Sequence, residues 1–203
     1  TIDPATQCFA YAQRLSLAQQ VGQLYMTVLM AGSDVDQAIA QISASGNGAV
    51  ILLGNRTSGL AAVQSETQQL QDAAPGGIPL LIATDQEGGL VQKLSGPGFA
   101  TIPAATEQAQ LDNTELRGSW QRWGRELRNA GVNWNLAPVA DVVPADQVAN
   151  NAAIGKLDRG YGSDPEVVGQ KVAEVIGGLS DSRVASSAKH FPGLGRVNEN
   201  TDF

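Results

Sequence analysis

What most constrains this chain is a set of short, wholly apolar runs separated by helix-length amphipathic segments. Ala49-Val-Ile-Leu-Leu53 contains no polar residue, and Leu80-Leu-Ile-Ala83 repeats that character after one intervening helix. A strand with one wet face would alternate apolar and polar side chains. A run that is apolar throughout predicts a strand covered on both faces, as in a parallel sheet layered with helices.

The segments between these runs carry helix signals. Ser16-Leu-Ala-Gln19 reads as a capping box for a short helix, followed by an apolar stretch at 24–30. Ser33 is expected to cap a helix with Val35, Ile39 and Ile42 at helical spacing, ended by Gly46. Leu60, Val63, Thr67 and Leu70 form one face of the next helix, which Pro75-Gly-Gly77 breaks. Leu116, Trp120, Trp123 and Leu127 line another, closing near Gly131 before a strand at 133–139. Ser163-Asp-Pro-Glu166 reads as a further capping box with proline near the helix start. Its helix presents Val168, Val172, Val175 and Leu179, and residues 184–188 read as a buried strand.

The result is about five β/α repeats in one α/β domain spanning residues 1–203, with no linker-like break in composition. An open doubly wound sheet and part of a (β/α)8 barrel both fit. In either, polar chemistry belongs at the carboxyl ends of the strands. The two longest irregular stretches, 88–113 and 143–163, both follow strands and are expected to be working loops.

Composition excludes several functions. Apolar residues at 42% and charged residues at 16% fit a folded domain rather than a disordered one. A net charge of −7 and the lack of any basic run argue against tracking nucleic-acid phosphates. No stretch reaches the roughly 18 apolar residues needed to span a membrane. Cys8 is the single cysteine and His190 the single histidine, so neither a thiolate cluster nor a multi-histidine metal site is expected. Cys8 is read as inert. Gly193-Leu-Gly195 lacks a third glycine and no phosphate-loop pattern occurs, so no nucleotide cofactor is expected. Asn55-Arg-Thr57 matches a glycosylation sequon, a pattern common by chance. Few lysines, a Gln/Ala/Ser-rich composition and a start at Thr1 without an apolar leader point towards a processed, extracytoplasmic protein (secreted or lipid-anchored), with a cytoplasmic one as the alternative.

Four polar groups fall at strand ends. Asp85 and Glu87 lie in what reads as a turn, Asp141 follows the fourth strand, Asp158-Arg159-Gly-Tyr161 sits in the long loop, and Lys189-His190 follows the fifth. Glu87 is expected to be structural, paired with a basic loop residue, and Asp141 to hold the loop after strand four. Asp, Arg, Lys and His without cysteine suit a small polyhydroxylated ligand, since carboxylates accept from hydroxyl pairs while cations donate to oxygens.

Taken together, Asp85-Gln-Glu-Gly-Gly-Leu-Val-Gln-Lys93, Asn135-Leu-Ala-Pro-Val-Ala-Asp-Val142, Arg159-Gly-Tyr-Gly-Ser-Asp-Pro165 and Lys189-His-Phe-Pro-Gly-Leu-Gly195 resemble glycoside hydrolase family 3. The bacterial β-N-acetylglucosaminidase (β-hexosaminidase) branch is the most similar. The resemblance implies a (β/α)8 TIM-type barrel, of which about five units are present. It implies retaining hydrolysis of terminal β-linked N-acetylglucosamine from peptidoglycan or chitin-type fragments, without cofactor or metal. It places sugar binding on Asp85, Lys93, Arg159, Lys189 and His190.

Two departures follow from the same resemblance. The branch's Asp-Ser-His triplet, which carries its general acid/base, falls on Asn200-Thr201-Asp202, so the acid role passes to Asp202. Lys93 stands where the family has arginine and loses the bidentate fork. The family's nucleophilic aspartate lies beyond the lysine-histidine loop, so the chain is expected to be the N-terminal portion of one barrel, ending after the strand-five loop. A catalytically silent sugar binder on the same scaffold, or a family 3 β-glucosidase or phosphorylase, is the alternative.

Overall fold

The computed structural model describes residues 3–199 and 201; Asp202 lies outside them. In chain order the elements are α1 (Pro4–Ala12), α2 (Leu17–Gly22), β1 (Met26–Met30), α3 (Val35–Ser45), β2 (Ala49–Leu53), α4 (Leu60–Asp72) and β3 (Leu81–Thr84). They continue through β4 (Gln86–Gly88), β5 (Val91–Gln92), α5 (Ala105–Gln108), α6 (Asn113–Asn129), β6 (Trp134–Asn135), α7 (Pro165–Asp181) and β7 (Ala185–Ser186).

Local signals set most helix ends. Ser16 and Gln19 form the reciprocal capping box at α2. Gly46 ends α3 in the left-handed conformation, with its N–H donating to the Ile42 carbonyl. Two caps differ from the sequence reading. Asp34, not Ser33, accepts from the Asp36 N–H at the start of α3. Asp164, not Ser163, accepts from the Glu166 and Val167 N–H groups at α7, with Pro165 in the first turn. In both places two capping residues are adjacent, and the carboxylate nearer the helix reaches the orphan N–H groups. α1 has no counterpart in the sequence reading.

The main sheet is wholly parallel, in the order β1-β2-β3-β6-β7. That order follows the chain without a reversal. A doubly wound sheet would reverse direction at a switch point, so the sequential order selects the wall of a (β/α)8-type barrel. Among the described residues the wall is an open arc, with β1 and β7 at its edges. A hairpin of β4 and β5 hangs from the end of β3, so Asp85 and Glu87 sit in an extended segment rather than the turn expected.

Register shows how the two faces differ. Thr27, Val50 and Ile82 pair across the sheet, as do Leu29, Leu52 and Thr84. All six are buried, and Leu29, Val50, Leu52 and Ile82 share one core with Ile42, Leu70, Leu116, Trp120, Leu127 and Leu179 of the helices. The opposite face carries Val28 (51% exposed), Met30 (48%) and Leu81 (47%). Among the described residues this second face is covered only in part, since Ala49 and Ala83 on it are buried while Ile51 and Leu53 are half-buried, so the expected cover on both faces is incomplete. The segment 184–188 is likewise mostly open: Val184 is buried, but Ala185 and Ala188 are exposed.

Candidate functional site at the strand ends

The parallel register brings the strand ends to one edge of the sheet. Asn135 on β6 fixes the exit of β3: its side chain accepts from the Gln86 N–H (3.0 Å) and donates to the Gln86 carbonyl (2.9 Å). That clamp holds Asp85 and Glu87 on either side of it. Gly88 follows with φ of +103°, and a side chain there would collide with the Pro103 carbonyl. Beyond β6 and β7 the two segments pair again. Lys189 N–H donates to Pro138 O (3.0 Å), and Ala140 N–H donates to Lys189 O (2.6 Å). This second pairing sets Asp141 beside His190.

The charged side chains form one connected chain. Lys189 Nζ lies 2.6 Å from both Asp85 Oδ1 and Glu87 Oε1. Arg159 makes a two-pronged pair with Glu87, Nε to Oε2 and Nη2 to Oε1, both at 2.8 Å. Its remaining Nη1 donates to the Ala153 carbonyl at 2.8 Å. His190 Nδ1 lies 2.6 Å from Asp141 Oδ2, and its Nε2 is 3.4 Å from Arg159 Nη2. Asp141 Oδ1 accepts from the Leu194 N–H.

Burial alone would raise the Glu87 carboxyl, whose side chain is only 5% exposed. The hydrogen bonds from Arg159 and the charge of Lys189 outweigh it and hold the group below its ordinary range. The same contest keeps Asp141 below its ordinary range, through His190 and the Leu194 N–H. Arg159 is correspondingly held protonated by Glu87.

Of the residues singled out from sequence, Asp85, Arg159, Lys189 and His190 thus meet in one cluster, and Glu87 pairs with a basic loop residue as read. Asp141 holds the loop after β7 rather than the loop after its own strand. Lys93 is adjacent through its backbone, its N–H donating to Asp85 O (3.3 Å). Among the described residues its ammonium has no ion-pair partner. Asp202 falls outside the described residues.

Several supporting residues went unread. Gln108 is fully buried: it accepts from Trp120 Nε1 and Tyr161 Oη and donates to the Glu87 and Pro103 carbonyls. Burial pushes the Tyr161 phenol far up, so it stays a neutral donor. Asn151 ties the 143–163 stretch to the loop after β7 by donating to Leu194 O and Val197 O, both at 2.8 Å. Arg56, within the sequon, is buried and donates to Leu29 O and Leu53 O at the ends of β1 and β2. Only Arg56, a charge following an apolar strand, left any signal in the sequence.

A parallel wall of barrel type, with a buried, alternating row of carboxylates and cations at its strand ends, places this chain in the class of (β/α)-barrel scaffolds. The chain belongs to glycosyl hydrolase family 3: residues 15–202 match the description "Glycosyl hydrolase family 3 N terminal domain". The crystal structure of a β-N-acetylhexosaminidase from Beutenbergia cavernae is 46% identical, with a TM-score of 0.89 over 93% of this chain and 57% of that one. β-Hexosaminidase LpqI of Mycobacterium tuberculosis is 38% identical over 125 residues, 61% of this chain and 31% of the relative. An uncharacterized secreted glycosyl hydrolase of Arthroderma benhamiae is 30% identical over 204 residues, 96% of this chain and 55% of the relative. The chain therefore spans little more than half the length of these proteins at most.

Proposed function

We propose that this chain is the N-terminal portion of a retaining β-N-acetylhexosaminidase barrel, residues 1–203, and contributes its sugar-binding edge. The observation that carries this reading is the Lys189 ammonium held 2.6 Å from both Asp85 and Glu87 at the mouth of a parallel wall. In this reading Asp85 accepts from a pair of sugar hydroxyls, and Lys189, Arg159 and Lys93 donate to ring, hydroxyl or acetamido oxygens. His190 completes the contacts to the same ring. Glu87 neutralises both Lys189 and Arg159, which leaves Asp85 as the carboxylate facing the ligand.

The substrate would be terminal β-linked N-acetylglucosamine in peptidoglycan or chitin-type fragments, with no cofactor or metal. The nucleophile would come from later barrel units, and Asp202 would serve as general acid/base. Such an acid must keep its proton at working pH, which burial achieves by raising a carboxyl. The secreted fungal relative supports an extracytoplasmic site of action, and no helix among the described residues is long and apolar enough to cross a membrane.

The test is hydrolysis of an aryl β-N-acetylglucosaminide by the intact protein, with calorimetry of N-acetylglucosamine binding alongside. Turnover with retention supports the reading. The absence of both turnover and binding sinks it. Binding without turnover identifies the second reading, a silent sugar binder, which is favoured by Asn200-Thr-Asp202 standing where the branch carries Asp-Ser-His.

A further inference from the structure

We propose that Asp141 is a positioning residue that holds His190 as the neutral Nδ1–H tautomer, so that Nε2 accepts a hydrogen bond from a sugar hydroxyl. The proposal rests on the sugar-site reading above for its ligand, and on geometry alone for the tautomer.

The two faces of the imidazole are occupied by groups of opposite hydrogen-bonding character. Asp141 Oδ2, 2.6 Å from Nδ1, belongs to a fully buried carboxylate that can only accept while ionised. Nδ1 must therefore carry a proton. On the other side, Arg159 Nη2 stands 3.4 Å from Nε2. A guanidinium has donors and no acceptor, so Nε2 must offer its lone pair. One proton on Nδ1 and none on Nε2 satisfies both neighbours; any other state sets a donor against a donor or leaves the carboxylate unpaired.

Asp141 has the rigidity this task needs. Its second oxygen accepts from the Leu194 N–H, so it cannot rotate without breaking the anchor of the loop that carries His190. Gly195 sits against the Val142 carbonyl with no room for a side chain, which closes that loop onto the segment bearing Asp141. Asn151 ties down the same loop from the far side through Leu194 O and Val197 O. His190 itself is 28% exposed, facing the cleft it shares with Lys189 and Arg196. The Arg159 contact is long and is the weaker of the two, so an entering hydroxyl can take its place at Nε2. Contacts of this kind select by direction: the ligand group at His190 must be a donor, whereas those at Lys189 and Arg159 must be acceptors.

Asp141→Asn separates the two duties of the side chain. Its amide oxygen can still accept from the Leu194 N–H, while its amide nitrogen, now a donor, faces Nδ1. The proton is then driven to Nε2 and points at Arg159. The experiment is nitrogen NMR of ¹⁵N-histidine-labelled protein, with the signal assigned by its loss in His190→Gln. The proposal expects a protonated Nδ1 and a bare Nε2 in the wild type, exchanged in Asp141→Asn, with N-acetylglucosamine affinity falling about tenfold, the worth of one hydrogen bond.

A wild-type spectrum with the proton on Nε2, or with both tautomers equally filled, overturns the proposal and needs no variant to fold. An exchanged tautomer with unchanged sugar affinity overturns the acceptor role. If the wild type shows the expected tautomer but binds no sugar, the tautomer assignment stands and the sugar-site reading fails.

Discussion

Two arginine–carboxylate pairs in this molecule share a two-pronged geometry and differ in nearly everything else. Arg117 meets Asp181 across α6 and α7 at 2.9 and 3.2 Å, with side chains 48% and 37% exposed. Arg159 meets Glu87 at 2.8 Å twice, with side chains 14% and 5% exposed. Water and salt compete freely for the first pair, so its contribution to stability is small. The second is shielded and shares its carboxylate with Lys189, so removing Glu87 strands the buried Arg159 guanidinium and leaves Lys189 with Asp85 alone. The surface pair decorates a helix contact already made by apolar residues. The interior pair fixes where Arg159 and Lys189 stand at the strand ends.

The largest effect should come from breaking the interior pair. Glu87→Ala is expected to cost about 3–5 kcal/mol of unfolding free energy in denaturant titration, the usual result of stranding a buried charge. Sugar binding should fall with it, because Lys189 and Arg159 lose their common anchor. An unchanged midpoint would mean that the cluster is held by its loops rather than by its charges.

Asp85→Asn comes next and should act on the ligand rather than the fold. Calorimetry with N-acetylglucosamine should show a loss of about 1.5–3 kcal/mol, roughly ten- to a hundredfold in affinity, with little change in thermal midpoint. A variant that binds as well as the wild type would remove Asp85 from the site.

Acid should weaken the interior cluster more gently. Glu87 and Asp141 are both held below their ordinary values of 4.5 and 3.8, so the folded state binds their protons less readily than the unfolded chain does. Their stabilisation is complete above those ordinary values and is lost as pH falls through the lower, folded ones. Thermal midpoints measured downward from pH 6 should drop in that range, and Glu87→Gln should flatten the drop. A profile flat down to the lowest soluble pH would show that neither carboxylate is linked to folding.

The smallest effect belongs to the surface pair. Arg117→Ala should leave the unfolding midpoint within experimental scatter, and whatever change exists should vanish when salt is raised. A large, salt-resistant loss would erase the contrast between the two pairs.

The sequence was a good guide to the scaffold. Ala49–Leu53 was recognisable as a strand because no polar residue interrupts it, and α6 because Leu116, Trp120, Trp123 and Leu127 recur on one side. It was a poorer guide to short pieces. β6 and β7 are two residues each, too brief for periodicity to report, and the strands flanking the Gly89-Leu90 turn of the β4–β5 hairpin have only three and two residues. Asp85, Lys189 and His190 stood out through their position after apolar runs. Gln108 and Asn151 did not, since a lone amide in a polar stretch has the same local pattern whether it faces water or is buried and makes four hydrogen bonds.

What the chain determined by itself was the order of its elements and the polar residues that close its strands, because periodicity, caps and apolar runs act within a few residues. The tertiary structure decided who meets whom. Glu87 finds Arg159, and His190 finds Asp141, only because β3, β6 and β7 lie side by side in one register. Pairings between such distant residues depend on how strands align in space, and local sequence does not encode that alignment.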